Sequence, residues 1–187
     1  MSGPALVDLL LGATWMLLVG DLLRSAKRVH VSAARRLAGM LLLAIMLVAG
    51  WILEGTTGGR LTWHPVAAAL GVVVAWLGLA LHAWARSTLA RGWSPTISPP
   101  AEAPLVEAGP YAHLRHPLYA AILLVAAGTC AAHPSRATLS AMVGFAVGIA
   151  LKRRAEDRAL ERRFGERWRA YAARVPALVP RLTDARP

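Results

Sequence analysis

The chain has 187 residues, enough for one domain, and 56% of them are hydrophobic, against about 45–50% in soluble proteins. Only 17% are charged, yet the net charge is +11. So many apolar side chains exceed what a soluble core of this size hides. The basic residues also gather at the ends of apolar runs, which excludes a nucleic-acid binder and points to a membrane.

A bilayer core about 30 Å thick needs roughly 20 apolar residues of helix. Five runs approach that length, at residues 4–23, 37–53, 61–85, 118–132 and 137–151. The first has no basic stretch before it and its positive charge follows the apolar run, so it reads as a spanning helix rather than a signal peptide. The last two are short. Of the 21 basic residues, all but Arg60 and Arg136 fall in alternate loops or in the tail. The positive-inside rule then predicts an outside amino terminus and a cytoplasmic carboxyl terminus, which requires an odd number of spans. Trp15, Trp51, Trp63 and Trp84 read as interfacial aromatics. Gly144 and Gly148 have the spacing of close helix packing. His64 and His82 lie near enough to segment ends to be interfacial, and no charge sits mid-membrane to mark an ion path, which argues against a transporter. Cys130, the one cysteine, lies in an apolar run and reads as a small hydrophobe. Lys27 and Lys152 are the only lysines beside many arginines and alanines, a bias that suggests a GC-rich bacterial genome.

The fold class read from this pattern is all-α: a single integral membrane domain with five transmembrane helices and a cytoplasmic carboxyl-terminal amphipathic helix and cap. Two stretches on the predicted cytoplasmic side carry the chemistry, residues 103–119 and 152–180. In the first, Gly109-Pro110 marks a turn. Pro117 suits the first position of a helix, where its missing N–H costs nothing. His116 then stands beside a helix amino terminus, a place that favours anions or neutral imidazole. His113 and His116 have a metal-like spacing, but no further ligand lies nearby and no metal is expected. In the second, Leu160, Phe164, Trp168 and Tyr171 recur at helical spacing, and Lys152 and Glu156 share one helix face. Gly165 interrupts that helix, and Pro176 and Pro180 end it in a cap. An amphipathic helix lying on anionic lipid accounts for the arginines but not for the cap.

Together the two stretches resemble the isoprenylcysteine carboxyl methyltransferase family and its phospholipid methyltransferase relatives. The matching pieces are Leu105-Val106, Gly109-Pro110-Tyr111, Arg115-His116-Pro117-Leu118-Tyr119, Glu156-Asp157, Phe164-Gly165, Tyr171 and Val175-Pro176. The resemblance covers about the carboxyl-terminal half. It implies S-adenosylmethionine as cofactor, held in a cytoplasmic pocket with no dinucleotide fingerprint. It implies backbone contacts from Leu105 and Val106, a pocket lined by Tyr111, His116, Pro117 and Tyr119, and Glu156 at the cofactor's polar end. The family's substrate-facing arginine aligns with Lys152, a point charge where arginine grips a carboxylate at two points. A frequent family histidine is replaced by Ala103.

The activated methyl group leaves the protein a positioning task. A carboxylate nucleophile needs no general base, and Lys152 would orient it. An amine or thiol must lose a proton, and His116 is the nearest base. The expected enzyme O-methylates a carboxylate of a lipid-like, isoprenylcysteine-type substrate that enters from the bilayer. The alternatives are phospholipid N-methylation, small-thiol S-methylation and a non-catalytic lipid-binding scaffold. The expected location is a bacterial inner membrane.

Overall fold

The computed structural model of the chain describes residues 3–27, 64–90 and 104–180. Segment 37–53 lies outside the described residues, as do Trp51, Trp63 and Ala103. All described secondary elements are helical: α1 (Gly3–Lys27), α2 (Pro65–Ala90), a 3-10 turn (Gly109–Ala112), α3 (Pro117–Ala132), α4 (Arg136–Phe164) and α5 (Glu166–Arg174). Two stretches, Gly3–Asp21 and Pro65–Leu89, are long and apolar enough to cross a membrane. α3 is apolar throughout, but its 16 residues rise only about 24 Å.

The bundle's outer surface carries more large apolar side chains than a soluble protein's. Met16, Leu70, Leu77 and Val143 point outward, each more than half exposed, whereas Thr14 and His82 are buried. α2 and α3 meet almost backbone to backbone. A Cβ on Gly71 would lie 2.5 Å from the Gly128 carbonyl oxygen, so only glycine permits that approach. This small-residue contact is not the one expected from spacing. Gly144 and Gly148 are both exposed, and Gly148 has no atom within 4 Å of where its Cβ would stand. The contact needs glycine on facing turns of two helices, and α4 has no described helix facing those glycines.

α1 packs through Leu11 against Val72, Ala75 and Ala132. Trp15 joins this packing. Its Nε1 donates to Thr129 Oγ1 at 3.0 Å and its ring stacks on Phe145 at 5.8 Å. His82 is likewise buried, 4% exposed, with Asp21 of α1 accepting from it. Asp21 Oδ2 lies 3.0 Å from His82 Nε2 and 2.8 Å from Arg86 Nε. At the opposite end of α1, Asp8 pairs with His133 at 3.0 Å, but Asp8 is 63% exposed against 35% for Asp21. Removing one partner of a buried pair strands the other, whereas exposed pairs contribute little. Asp21→Ala is therefore expected to lower the melting temperature in detergent clearly, and Asp8→Ala hardly at all. Equal shifts in a thermal unfolding assay would show that burial does not set the worth of these pairs.

Helix α4 runs unbroken for 29 residues, so segment 137–151 and the basic stretch after it are one rod. It starts at a capping box in which Ser135 and Thr138 satisfy each other's backbone N–H groups. It ends at Gly165, whose φ of 54° an L side chain adopts only with strain, and the chain turns there into α5.

Candidate active site

The amino terminus of α3, the middle of α4 and the chain after α5 converge. Pro117 opens α3 and His116 caps it, as the sequence predicted. The turn before α3 is pinned by the chain after α5: Arg115 N donates to Pro176 O at 2.9 Å and His116 N to Ala177 O at 3.1 Å. Buried Tyr171 of α5 donates from its hydroxyl to Tyr111 O at 2.7 Å. Leu105 packs with Trp168, Tyr171 and Val175. Arg167 and Arg174 both reach Glu107 at 3.2 Å, on the same segment. Gly165 and Pro176 thus fold α5 back to hold the loop that carries residues 104–116.

On this frame His116 is 6% exposed. Its Nε2 lies 2.7 Å from Asp157 Oδ1, and its Nδ1 lies 3.9 Å from Glu156 Oε2. The ring stacks on Tyr119 at 5.5 Å between centroids. Tyr119 donates its hydroxyl to Glu156 Oε2 at 2.7 Å. Lys152 Nζ stands 5.4 Å from the centre of the Tyr119 ring and pairs with no acid among the described residues. So Lys152, Glu156, Tyr119 and His116 are brought together. Val106 and Tyr111 lie on the α2 side of the loop, packed with Ala85 and Leu89, and Pro117 is fully buried. The Leu105 and Val106 main chain makes no backbone hydrogen bond to another described residue. Burial and, next, the charge of Glu156 push the Tyr111 phenol well up, so it stays protonated.

Sequence reasoning left Asp157, Arg115 and Arg153 without a role. Arg153 Nη1 donates to Asp157 Oδ2 at 3.0 Å, and Arg115 Nη1 lies 3.6 Å from Oδ1. Arg153 and Asp157 are four apart on one helix, so that pairing was visible in the spacing. The crossing to His116 was not, since it spans 41 residues. Among the described residues no three His, Cys, Asp or Glu side chains gather as a metal site.

The donor set fits S-adenosylmethionine. Glu156 is 47% exposed and keeps acceptor capacity beside Tyr119 for an ammonium or hydroxyl group, and the free main chain of Leu105 and Val106 offers a polar edge beside aromatic rings. No curated protein matches the chain. The sequence model of the isoprenylcysteine carboxyl methyltransferase (ICMT) family matches residues 69–162, which span most of α2, the loop, all of α3 and nearly all of α4. With half of its length matched, including every helix that contributes to this constellation except α5, the chain belongs to the isoprenylcysteine carboxyl methyltransferase family and is a membrane methyltransferase.

Proposed function

We propose that the chain is a five-span, S-adenosylmethionine-dependent enzyme that O-methylates a carboxylate of a lipid-like, isoprenylcysteine-type substrate. The observation that carries this reading is Lys152: a cation with no acid partner among the described residues, held over the Tyr119 ring one helical turn from Glu156 and just past the apolar part of α4. The cofactor would be held by Glu156, the Leu105 and Val106 main chain, and the walls made by Tyr111, His116, Pro117 and Tyr119. When bound, it supplies a methyl carbon already activated by the sulfonium. Lys152 then orients the substrate's carboxylate. It does so as a single point charge. Tyr119 meets both side chains, Lys152 at its ring face and Glu156 at its hydroxyl. α5 and the cap after it keep water off the Leu105 side. The lipid tail enters from the bilayer between helices. The second reading, transfer to a thiol or amine, is favoured by one observation: His116 Nδ1 makes no hydrogen bond among the described residues, so the imidazole has a nitrogen available as a base.

Calorimetric titration of the purified chain with S-adenosylhomocysteine tests the cofactor, and labelled methyl transfer to prenylcysteine, phospholipid and thiol acceptors tests the chemistry. Binding and transfer to the prenylcysteine acid are expected. No binding would leave a lipid-binding scaffold, and transfer only to the others would move the activity to their class.

The spans would be residues 4–23, 37–53, 61–85, 118–132 and 137–151, in a bacterial inner membrane, with the carboxyl end cytoplasmic and residues 152–180 forming a cytoplasmic helix and cap. The division of basic residues between alternate loops supports this orientation. Reporter fusions after Pro187 and within the Gly58-Gly59 loop are expected to give opposite signals, and like signals would rule out five spans.

A further inference from the structure

Asp157 is the acid of the Glu156-Asp157 pair that the cofactor reading leaves unused. Its side chain is 19% exposed and is met from three sides, by His116 Nε2 at 2.7 Å, Arg153 Nη1 at 3.0 Å and Arg115 Nη1 at 3.6 Å. Burial alone would push this carboxyl up. The hydrogen bond from His116 and the charges of His116, Arg115 and Arg153 outweigh burial and hold it below the usual carboxylate value. Asp157 is therefore ionised and can only accept hydrogen bonds. An acceptor 2.7 Å from Nε2 requires the ring hydrogen on Nε2. In the neutral imidazole, Nδ1 is then the nitrogen with the lone pair. Its nearest acidic neighbour, Glu156 Oε2 at 3.9 Å, is beyond hydrogen-bond reach.

We propose that Asp157 is a positioning residue that holds His116 as the Nε2–H tautomer, so that Nδ1 presents its lone pair on the side occupied by Glu156. The groups that set this balance are Arg115 beside His116, Tyr119 on α3, and Lys152, Arg153, Glu156 and Asp157 on α4. The consequence for the reaction rests on the methyltransferase reading. A thiol or amine nucleophile has a proton that Nδ1 can take, whereas a carboxylate has none to give. Asp157 would thus matter for the first two acceptor classes through the tautomer it enforces, and for all three through the shape of the pocket wall.

Nitrogen-15 NMR of the full chain labelled at histidine, with His116 assigned by its loss in His116→Asn, reads the tautomer without any substrate. Across a pH series, the neutral form of His116 is expected to carry its hydrogen on Nε2. In Asp157→Asn the amide oxygen faces Arg153, the closer guanidinium, and the amide nitrogen turns to His116. Nε2 then becomes an acceptor and the major tautomer inverts to Nδ1–H. Asp157→Glu keeps a carboxylate and retains Nε2–H. A wild-type neutral ring with its hydrogen on Nδ1 overturns the proposal whether or not either variant folds. Retention of Nε2–H in folded Asp157→Asn overturns the role of Asp157. S-adenosylhomocysteine titration of the same samples separates the two questions: binding with the wrong tautomer defeats this proposal alone, and the expected tautomer without binding defeats the cofactor reading alone.

Discussion

Glu156→Ala is expected to weaken S-adenosylhomocysteine binding roughly ten- to hundredfold, the loss that follows from about 1.5–3 kcal/mol for a hydrogen bond to a charged group. One of its carboxylate oxygens accepts from the Tyr119 hydroxyl, and the side chain is nearly half exposed, so removing it uncovers no buried charge. The protein should therefore stay folded, and the lost affinity reads the contact itself. His116→Ala is expected to weaken binding as well, for a different reason. It removes the ring stacked on Tyr119, one wall of the proposed pocket, while Asp157 keeps the partners Arg153 and Arg115. Tyr119→Phe should have the smallest effect, because it frees a Glu156 oxygen rather than deleting it. Calorimetric titration of each variant, alongside a thermal unfolding check, measures this series. Unchanged affinity in both Glu156→Ala and His116→Ala would refute a pocket at this place.

What could be read from the sequence was local. Apolar runs announce helices wherever they occur, so α1, α2, α3 and the first part of α4 stand where hydrophobicity placed them. Proline at the head of α3 and glycine at the end of α4 have geometric meanings that do not depend on neighbours. The residues of the candidate site entered through the family resemblance, which named Glu156 and His116 and carried Asp157 along without a role. What the sequence did not show were partners distant along it. The position of His82 near a segment end is visible in the sequence, and its partner Asp21, 61 residues away, is not. The acceptor of the Trp15 indole N–H, Thr129, lies 114 residues away and was equally out of view. The glycine pair in α4 had the right spacing, but close packing requires a second small face opposite, and Gly71 and Gly128 supply one to each other instead. Apolar pattern alone also suggested a boundary at residue 151. Charge begins there, but nothing in the backbone propensity of Lys152 to Phe164 ends a helix, and α4 continues.

Lys152→Met is expected to cut turnover and substrate affinity strongly on a carboxylate acceptor, while leaving S-adenosylhomocysteine binding intact. Lys152 Nζ is held over the Tyr119 ring, and its helix neighbour one turn on, Glu156, is engaged by Tyr119 rather than by the lysine. A cation attracted by a ring face is loosely held, worth about 0.5–1 kcal/mol at an exposed site. Its charge is therefore available to a substrate anion at little cost. Methionine keeps the length and apolar stem of lysine and removes only the charge, so a structural role in the stem would survive the change. Lys152→Arg is expected to retain the activity or raise it, because a guanidinium grips a carboxylate through two parallel hydrogen bonds. The rival account is that Lys152 only extends to lipid phosphate at the end of the apolar part of α4, as basic residues at helix ends do. The two accounts separate on the acceptor. If the lysine serves the membrane surface, Lys152→Met retains full activity on whichever acceptor is methylated. If the nucleophile is a thiol or amine, Lys152→Met again matters little, but activity rises with pH as the nucleophile loses its proton. A large loss in Lys152→Met with rescue by Lys152→Arg marks an anionic group oriented by this residue, and on the prenylcysteine acid that group is the carboxylate. Methyl transfer from labelled S-adenosylmethionine to prenylcysteine, phospholipid and thiol acceptors, run on both variants, distinguishes the three.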